Sequence, residues 1–166
     1  MRAASLFRAT LTVASAALGG CFLDPGACSY DYRDIEFHGQ LTGSMLAPGA
    51  TPVGIVLQLN ETRNDDPSFR TLYLVLSRPV PAGAAVIELR QTSGSGTPVI
   101  ATFSLSAALT STVDLAELTP TQEDLARYAG AGQLHLVGRA GGGSPPGLDA
   151  ALSVASRTDW HHLRCD

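Results

Sequence analysis

The chain of 166 residues lacks lysine altogether, and its eleven basic residues are all arginines. Arg2 and Arg8 lie within the first twenty positions, so the remainder carries nine arginines against fifteen acidic residues, a net charge of −6. Nucleic acids and anionic bilayer surfaces attract proteins with an excess of positive charge. The composition therefore argues against nucleic acid as a partner and against adsorption to a membrane by charge.

Long apolar runs are also missing. The apolar run near the N-terminus covers ten residues, 9–18, whereas a helix that spans a bilayer needs about 20. This short run follows two arginines and ends in small residues, which is the composition of a secretory signal. The tetrapeptide Leu18-Gly19-Gly20-Cys21 closes it. We therefore predict a cleaved signal peptide over residues 1–20.

The tetrapeptide resembles the lipobox of bacterial lipoproteins. This resemblance implies cleavage between Gly20 and Cys21 and a diacylglycerol on the Cys21 thiol. Such proteins carry two or three acyl chains, and since each buried CH₂ contributes about 0.8 kcal/mol, the attachment would be lasting. Phe22 stands where an aspartate marks retention in the inner membrane, so the resemblance implies an outer-membrane location in the cell envelope. The alternative is an ordinary signal peptide followed by a disulfide-bonded Cys21.

The chain has only three cysteines. If Cys21 carries lipid, Cys28 and Cys165 are left, and secretion would bring them into an oxidising compartment. A bridge between them would close nearly the whole domain into one loop, which stabilises by about 4 kcal/mol in the chain-entropy description. We predict a Cys28–Cys165 disulfide. Two free thiols, or a metal-binding pair beside His161 and His162, are the alternatives.

Apolar residues alternate with polar ones through much of the chain after residue 34, as in half-buried strands. Clusters of glycine, proline and aspartate separate these segments at even intervals, which favours a β-sandwich or barrel over alternating helices and strands. The predicted strands are 35–43, 53–60, 71–78, 84–92, 98–105, 111–118, 132–139 and 148–156. We expect an antiparallel, Greek-key-like β-sandwich of about seven or eight strands over residues 35–166. Residues 21–34 would tether it to the anchor.

One segment, residues 118–132, has the end signals of a helix. Thr119 can cap the N-terminus, Pro120 suits the first helical position, and Gly130 offers a left-handed stop. We predict a helix at 120–129 that crosses between strands. The residues predicted to form the core are Phe37, Leu41, Ile55, Leu57, Leu59, Leu72, Leu74, Leu76, Ile87, Leu89, Val99, Phe103, Leu134, Leu136, Leu152 and Val154.

The order of these elements resembles the CHRD domain, the repeat first described in chordin and common in bacterial secreted proteins. The likeness begins with FHGQLTGSMLAPGATPVGIVLQLN and continues through SGSGTPVIATFSL and LTPTQEDLARYAGAGQLHLVGRA, covering residues 36–156. The matching positions of the first segment are Phe37, Leu41, Gly43, Pro48, Thr51 and Gly54. The family's His-x-His motif is replaced by Val86-Ile87-Glu88, and His135 does not match its later histidine. The resemblance therefore implies a fold and at most a binding role.

No constellation of catalytic residues is evident in the sequence. The chain lacks a Gly-x-Ser-x-Gly elbow, and no base is close to Cys28 in sequence. His38 and His135 could meet at a metal, and Asp65 and Asp66 could chelate calcium in an acidic turn. Surface histidines and a solvated turn are the simpler interpretations. We predict no cofactor, no metal and no enzymatic activity.

These observations together favour a membrane-anchored envelope lipoprotein whose β-sandwich binds or scaffolds an envelope protein or glycan. A binding surface is expected among the loops at the end of the domain away from the tether, because loops carry function more often than strands. A metal-dependent enzyme of unfamiliar type is one alternative. An accessory lipoprotein of an envelope assembly or secretion system is the other.

Replacing Cys21 by serine should abolish lipidation, because a hydroxyl does not replace the thiol that receives the diacylglycerol. Without the acyl chains the protein should leave the membrane for the soluble periplasmic fraction. Metabolic labelling with a palmitate analogue, followed by fractionation, measures both effects. Cys28→Ser is the matched control and should keep its label. Equal labelling of Cys21→Ser and the unaltered chain would contradict the lipobox.

Overall fold

Each of the eight strands that the alternating pattern predicts is present in the computed structural model, and a ninth strand follows them. The structure describes residues 29–46, 51–62, 71–80, 86–92, 98–104, 110–114, 122–139 and 145–164. The elements in chain order are β1 (Ser29–Leu41), β2 (Val53–Thr62), β3 (Thr71–Leu76), β4 (Val86–Gln91), β5 (Val99–Ser104), β6 (Thr110–Asp114), α1 (Gln122–Gly130), β7 (Leu134–Arg139), β8 (Leu148–Arg157) and β9 (His161–Arg164).

All strand pairs are antiparallel, and the hydrogen-bonded order is β5-β4-β7-β8-β1-β2-β3-β6, with β9 beside β1. The terminal strands of this path, β5 and β6, lie in contact, so the sheet nearly closes on itself. Because β3 pairs with β6 and not with β4, the chain leaves this edge for two strands and then returns to it. The predicted all-β antiparallel class with one short helix is confirmed.

Strand β8 connects two groups of strands. Its first half, Leu148–Leu152, pairs with β7, and its second half, Ser153–Arg157, pairs with β1. The group around β1 contains β2, β3, β6 and β9, and the group around β7 contains β4 and β5. The hydrogen-bonded path is continuous through β8, so a division into the two packed sheets of a sandwich stays a prediction.

The interior is filled by alternate side chains of the strands, as the period of two requires. Fourteen of the sixteen predicted core residues are buried, and Ile35, Val53, Leu125 and Leu148 join them. Burying one such aliphatic or aromatic side chain stabilises by about 1.5–3 kcal/mol. The apolar alternation is therefore both the signal that predicts the strands and the main source of their stability.

The prediction that Val99 belongs to the core is wrong. A β-bulge lies between β4 and β5, where Leu89 is opposite Ala101 and Arg90 is opposite Val99, so Ile100 is an extra residue. The bulge interrupts the alternation of buried and exposed side chains along β5. Ile100 and Ala101 are both buried, and Val99 is 45% exposed. Val154, the other predicted core residue that is not buried, is partly buried and packs against the edge of the core.

The predicted helix is present, but its end differs from the prediction. Leu125 and Ala129, four residues apart on one face, are buried. The helix includes Gly130, and the left-handed residue that follows it is Gly132, whose φ is 68°. Hydrogen bonds from Gln133 N to Tyr128 O (2.8 Å) and from Gly132 N to Ala129 O (3.0 Å) form a Schellman motif. The predicted cap, Thr119 with Pro120, lies outside the described residues.

Strand β9 is the element that the sequence does not predict. It pairs with the start of β1, with Ser29 opposite Arg164 and Tyr32 opposite His161. Residues 29–34, assigned from sequence to the tether, are therefore part of β1. Between the part of β1 that pairs with β8 and the part that pairs with β9, the segment opposite β1 contains one extra residue. In this segment Thr158 N donates to Asp34 O at 2.9 Å. The two strands thus form one bulged edge along β1.

A buried ion pair closes the interior at the end where β1 begins. Arg33, only 5% exposed, is in the inward row of β1, and its guanidinium Nε donates to Glu61 Oε2 on the neighbouring strand. The Trp160 ring lies under the guanidinium, 4.6 Å from ring centroid to Arg33 Cζ. With its amide turned to donate, Gln122 of α1 bonds the same carboxylate. One polar cluster therefore ties β1, β2, α1 and the segment before β9 together.

Arg33→Met should lower the free energy of unfolding by about 3 kcal/mol, because it leaves the Glu61 carboxylate largely buried without its partner. Urea denaturation measures the loss. Arg90→Met is the matched control, since the Arg90–Glu88 pair is more exposed, with side chains 20% and 24% accessible, and should cost less than about 1 kcal/mol. The double variant Arg33→Met, Glu61→Leu should recover most of the loss. Equal losses at Arg33 and Arg90 would contradict the role of the buried pair.

Candidate binding groove on the outer face of the sheet

The residues predicted from sequence to be modified lie outside the described part of the chain. These are Gly20 and Cys21 at the signal cleavage site and Cys28 and Cys165 of the predicted disulfide. Asp65 and Asp66 of the acidic turn also lie outside it. A candidate site can therefore be built only from the strands, the helix and the described loop residues.

The structure does not bring His38 and His135 together. Both are on the outer face, but β8 separates them, with Ser153 opposite His38 and Ala151 opposite His135. Each has a different acidic neighbour: His38 Nε2 is 3.2 Å from Glu36 Oε2, and His135 Nδ1 is 3.5 Å from an Asp149 carboxylate oxygen. Within the described residues, no group of three or more histidine, cysteine and acidic side chains could hold a metal ion.

The two C-terminal histidines also have separate partners. His162 Nδ1 is 2.9 Å from Asp31 Oδ1, and the His161 ring lies against Tyr32 with centroids 5.4 Å apart. Each contact joins residues that are directly opposite in the β1–β9 ladder. In the described structure these histidines therefore help to join β9 to β1.

An open groove of about 500 Å³ lies on the outer face, across β8, β1, β2 and β3. One row of its lining contains Gln40, Gly54 and Ser77, near the end of β1 that is opposite to Ser29. The next row contains His38, Val56 and Val75, and β8 adds Ala151 and Ser153. The groove is thus built from strand faces, close to the end where a binding surface is expected among the loops.

Gly54 gives the groove its depth. It occupies an outward position of β2 where any other residue would project a side chain into the groove. Its N–H donates to Ser77 Oγ at 2.8 Å, and Ser77 N donates to Gly54 O at 2.9 Å. A Cβ built on Gly54 would lie 3.3 Å from Ser77 Cβ and Oγ, so a side chain here would crowd the neighbouring strand.

A polar cluster borders the groove on the side of Glu36. Gln58 Nε2 donates to Glu36 Oε1 at 3.0 Å, and His38 and Ser156 contact Glu36 Oε2 at 3.2 and 3.3 Å. The hydrogen bond from Gln58 is the largest cause that lowers the pKa of the Glu36 carboxyl below its ordinary value. The carboxylate is therefore charged at neutral pH, and the stability it contributes is lost as the pH falls through its lowered pKa.

The lining of the groove combines apolar and polar side chains. Val56 and Val75 form an apolar floor, and Gln40, Ser77 and Ser153 supply an amide and two hydroxyls. The Ser153 hydroxyl donates to the backbone carbonyl of His38 at 3.5 Å. None of the residues that line the groove is an acid, an arginine or a cysteine.

The sequence carries one signal for this groove. Gly54 lies inside the strand β2, and a glycine inside a strand often marks a close approach of another backbone or a ligand. Its partner Ser77 lies 23 positions later. Only the register of β2 against β3 brings the two residues together, so the groove cannot be predicted from the sequence.

Comparisons with known proteins identify no relative of this chain. No protein-family model matches it, and no curated protein or solved structure gives a significant match. Among the described residues, no helix has both the length and the apolar character needed to cross a membrane.

Proposed function

We propose that this protein is a lipid-anchored component of a bacterial cell envelope whose β-domain is a non-catalytic binding module. The observation that carries the proposal is the open groove on the outer face of the sheet, whose lining contains no acid, arginine or cysteine. The anchor is Cys21, with the lipobox-like tetrapeptide after the short apolar run, and Phe22 favours the outer membrane. Two or three acyl chains on one residue would make release negligible.

The position of the groove agrees with such an anchor. A tether from Cys21 would enter the domain at Ser29, the first residue of β1, and Gln40 of the groove lies near the other end of the same strand. Eleven residue steps of extended chain correspond to about 35 Å. The groove would then lie toward the end of the domain that is away from the membrane, where a partner in the surrounding compartment could reach it.

We further propose that the domain is of the CHRD type. The positions that carry the resemblance have clear structural roles in this chain. Phe37 and Leu41 are fully buried. Gly43 has φ +142°, and a Cβ there would lie 2.1 Å from Gly147 O, so only glycine fits. Gly54 borders the groove. These roles explain why an aromatic, a leucine and two glycines would recur at this spacing.

The register of β1 with β9 supports the proposed Cys28–Cys165 bridge. The ladder begins with Ser29 opposite Arg164, and Cys28 and Cys165 are the residues next to this pair in the sequence. Directly opposite residues of an antiparallel pair have Cα atoms about 4.5 or 5.5 Å apart. Both separations are within the range of about 4.4–6.8 Å that a disulfide requires.

Peptide mapping of the non-reduced protein should therefore recover one cross-linked pair that contains Cys28 and Cys165. Its reduction should lower the free energy of unfolding by about 2–4 kcal/mol. The variant Cys28→Ser, Cys165→Ser is the control, and it should unfold identically with and without reductant. Recovery of both cysteines alkylated without prior reduction would contradict the bridge.

Co-purification from detergent-solubilised envelope tests the proposed function. One envelope component should be retained by the full chain, lost with Val56→Arg in the groove, and kept with Thr112→Arg, an exposed strand residue outside it. Retention of a protein complex by all three chains would favour an accessory lipoprotein of an assembly system. A component recovered in chemically altered form would indicate an enzyme, and no retained component would contradict a binding module.

A further inference from the structure

We infer that the ligand of the groove is a neutral glycan, bound across the faces of β8, β1, β2 and β3. This inference rests on the proposed binding function and adds the chemical class of the partner and the place where it binds. The argument depends on the charge, the shape and the surface chemistry of the groove.

The charge of the lining selects a neutral ligand. His38 is the one titratable side chain among the lining residues, and all of them lie in the described part of the chain. Glu36 lies beside the groove, but its carboxylate already accepts from Gln58, His38 and Ser156. The lining offers no arginine or lysine to a phosphate or a carboxylate, and no carboxylate to a metal ion, so binding such a ligand would require dehydration with little compensation.

The shape and the backbone pairing argue against a peptide bound as an added strand. The groove lies over the middle of a paired array in which β1 joins β8 to β2, and β2 joins β1 to β3. Strand addition needs a free sheet edge with unpaired backbone groups. The ligand must instead be recognised by side chains alone, and four strands at a spacing of about 4.8 Å give a contact about 14 Å wide.

The surface chemistry matches a sugar chain. Val56 and Val75 offer apolar surface to the C–H groups on one face of a pyranose ring. Gln40, Ser77 and Ser153 stand around them and can exchange hydrogen bonds with its hydroxyls. Because the groove is open, one face of each sugar stays in water, and we expect a dissociation constant of about 0.1–1 mM for a short oligosaccharide.

Titration of the ¹⁵N-labelled full chain in detergent, followed by NMR, tests the inference. The probes are maltohexaose and hexa-N-acetylchitohexaose, which are neutral, and hexagalacturonate, which is anionic. At least one neutral probe should shift the amide signals of Gly39, Gln40 and Gly54 in a saturable manner, and hexagalacturonate should not. Failure of both neutral probes to shift these signals at 10 mM, about ten times the weakest expected dissociation constant, would overturn the inference.

A matched pair of variants locates the site. Ser153→Glu places a carboxylate in the groove and should weaken binding of the neutral probe about tenfold. Ser104→Glu places the same group at an exposed position of β5, outside the groove, and should leave binding unchanged. Equal binding by both variants would overturn the assignment to this groove, as would a partner from the envelope whose capture Ser153→Glu does not alter. That last outcome would leave the proposed binding function standing.

Discussion

The pairing of β1 is the constraint on which the rest of the fold depends. One edge of this strand pairs with β2 from Tyr32 to Leu41, and the other edge pairs with β9 and then β8. Its inward row places Ile35 and Phe37 in the core, and a shift by one residue would turn that row to solvent. Since β8 continues to β7 and through it to β4, the position of every described strand relative to the core depends on the register of β1.

The ion pair between Arg33 and Glu61 fixes the register of β1, which the apolar pattern alone does not fix. A slip of β1 by two residues keeps every inward side chain inward, so hydrophobic burial alone discriminates weakly against it. In the observed register Arg33 is opposite Glu61. A slip by two would place the guanidinium opposite Leu59, buried and without a carboxylate, at a large cost in free energy. We expect the pair to contribute more to the choice of register than to net stability.

The parts of the structure that could be predicted are those that depend on local alternation. The strands and most of the core follow from residues such as Ile55, Leu57 and Leu59, whose spacing alone indicates a buried face. Ile100 could not be predicted, because a bulge is decided by the partner strand. Strand β9 could not be predicted, because it has no apolar alternation and is held by cross-strand polar contacts. The groove could not be predicted either, because its lining comes from four strands. Lipidation of Cys21 and the Cys28–Cys165 disulfide follow from motif and composition alone, and they stay predictions.

The arrangement of β1 also has a mechanical consequence. A load applied between the N-terminal end of this strand and the groove would act along the strand axis. The ladders to β2 and β8 run parallel to that axis, so their hydrogen bonds would be stressed together in shear. A force applied perpendicular to the strands would instead break these hydrogen bonds one after another. A domain held at one end of β1 and loaded at the other is thus stressed in the direction in which its sheet resists rupture best.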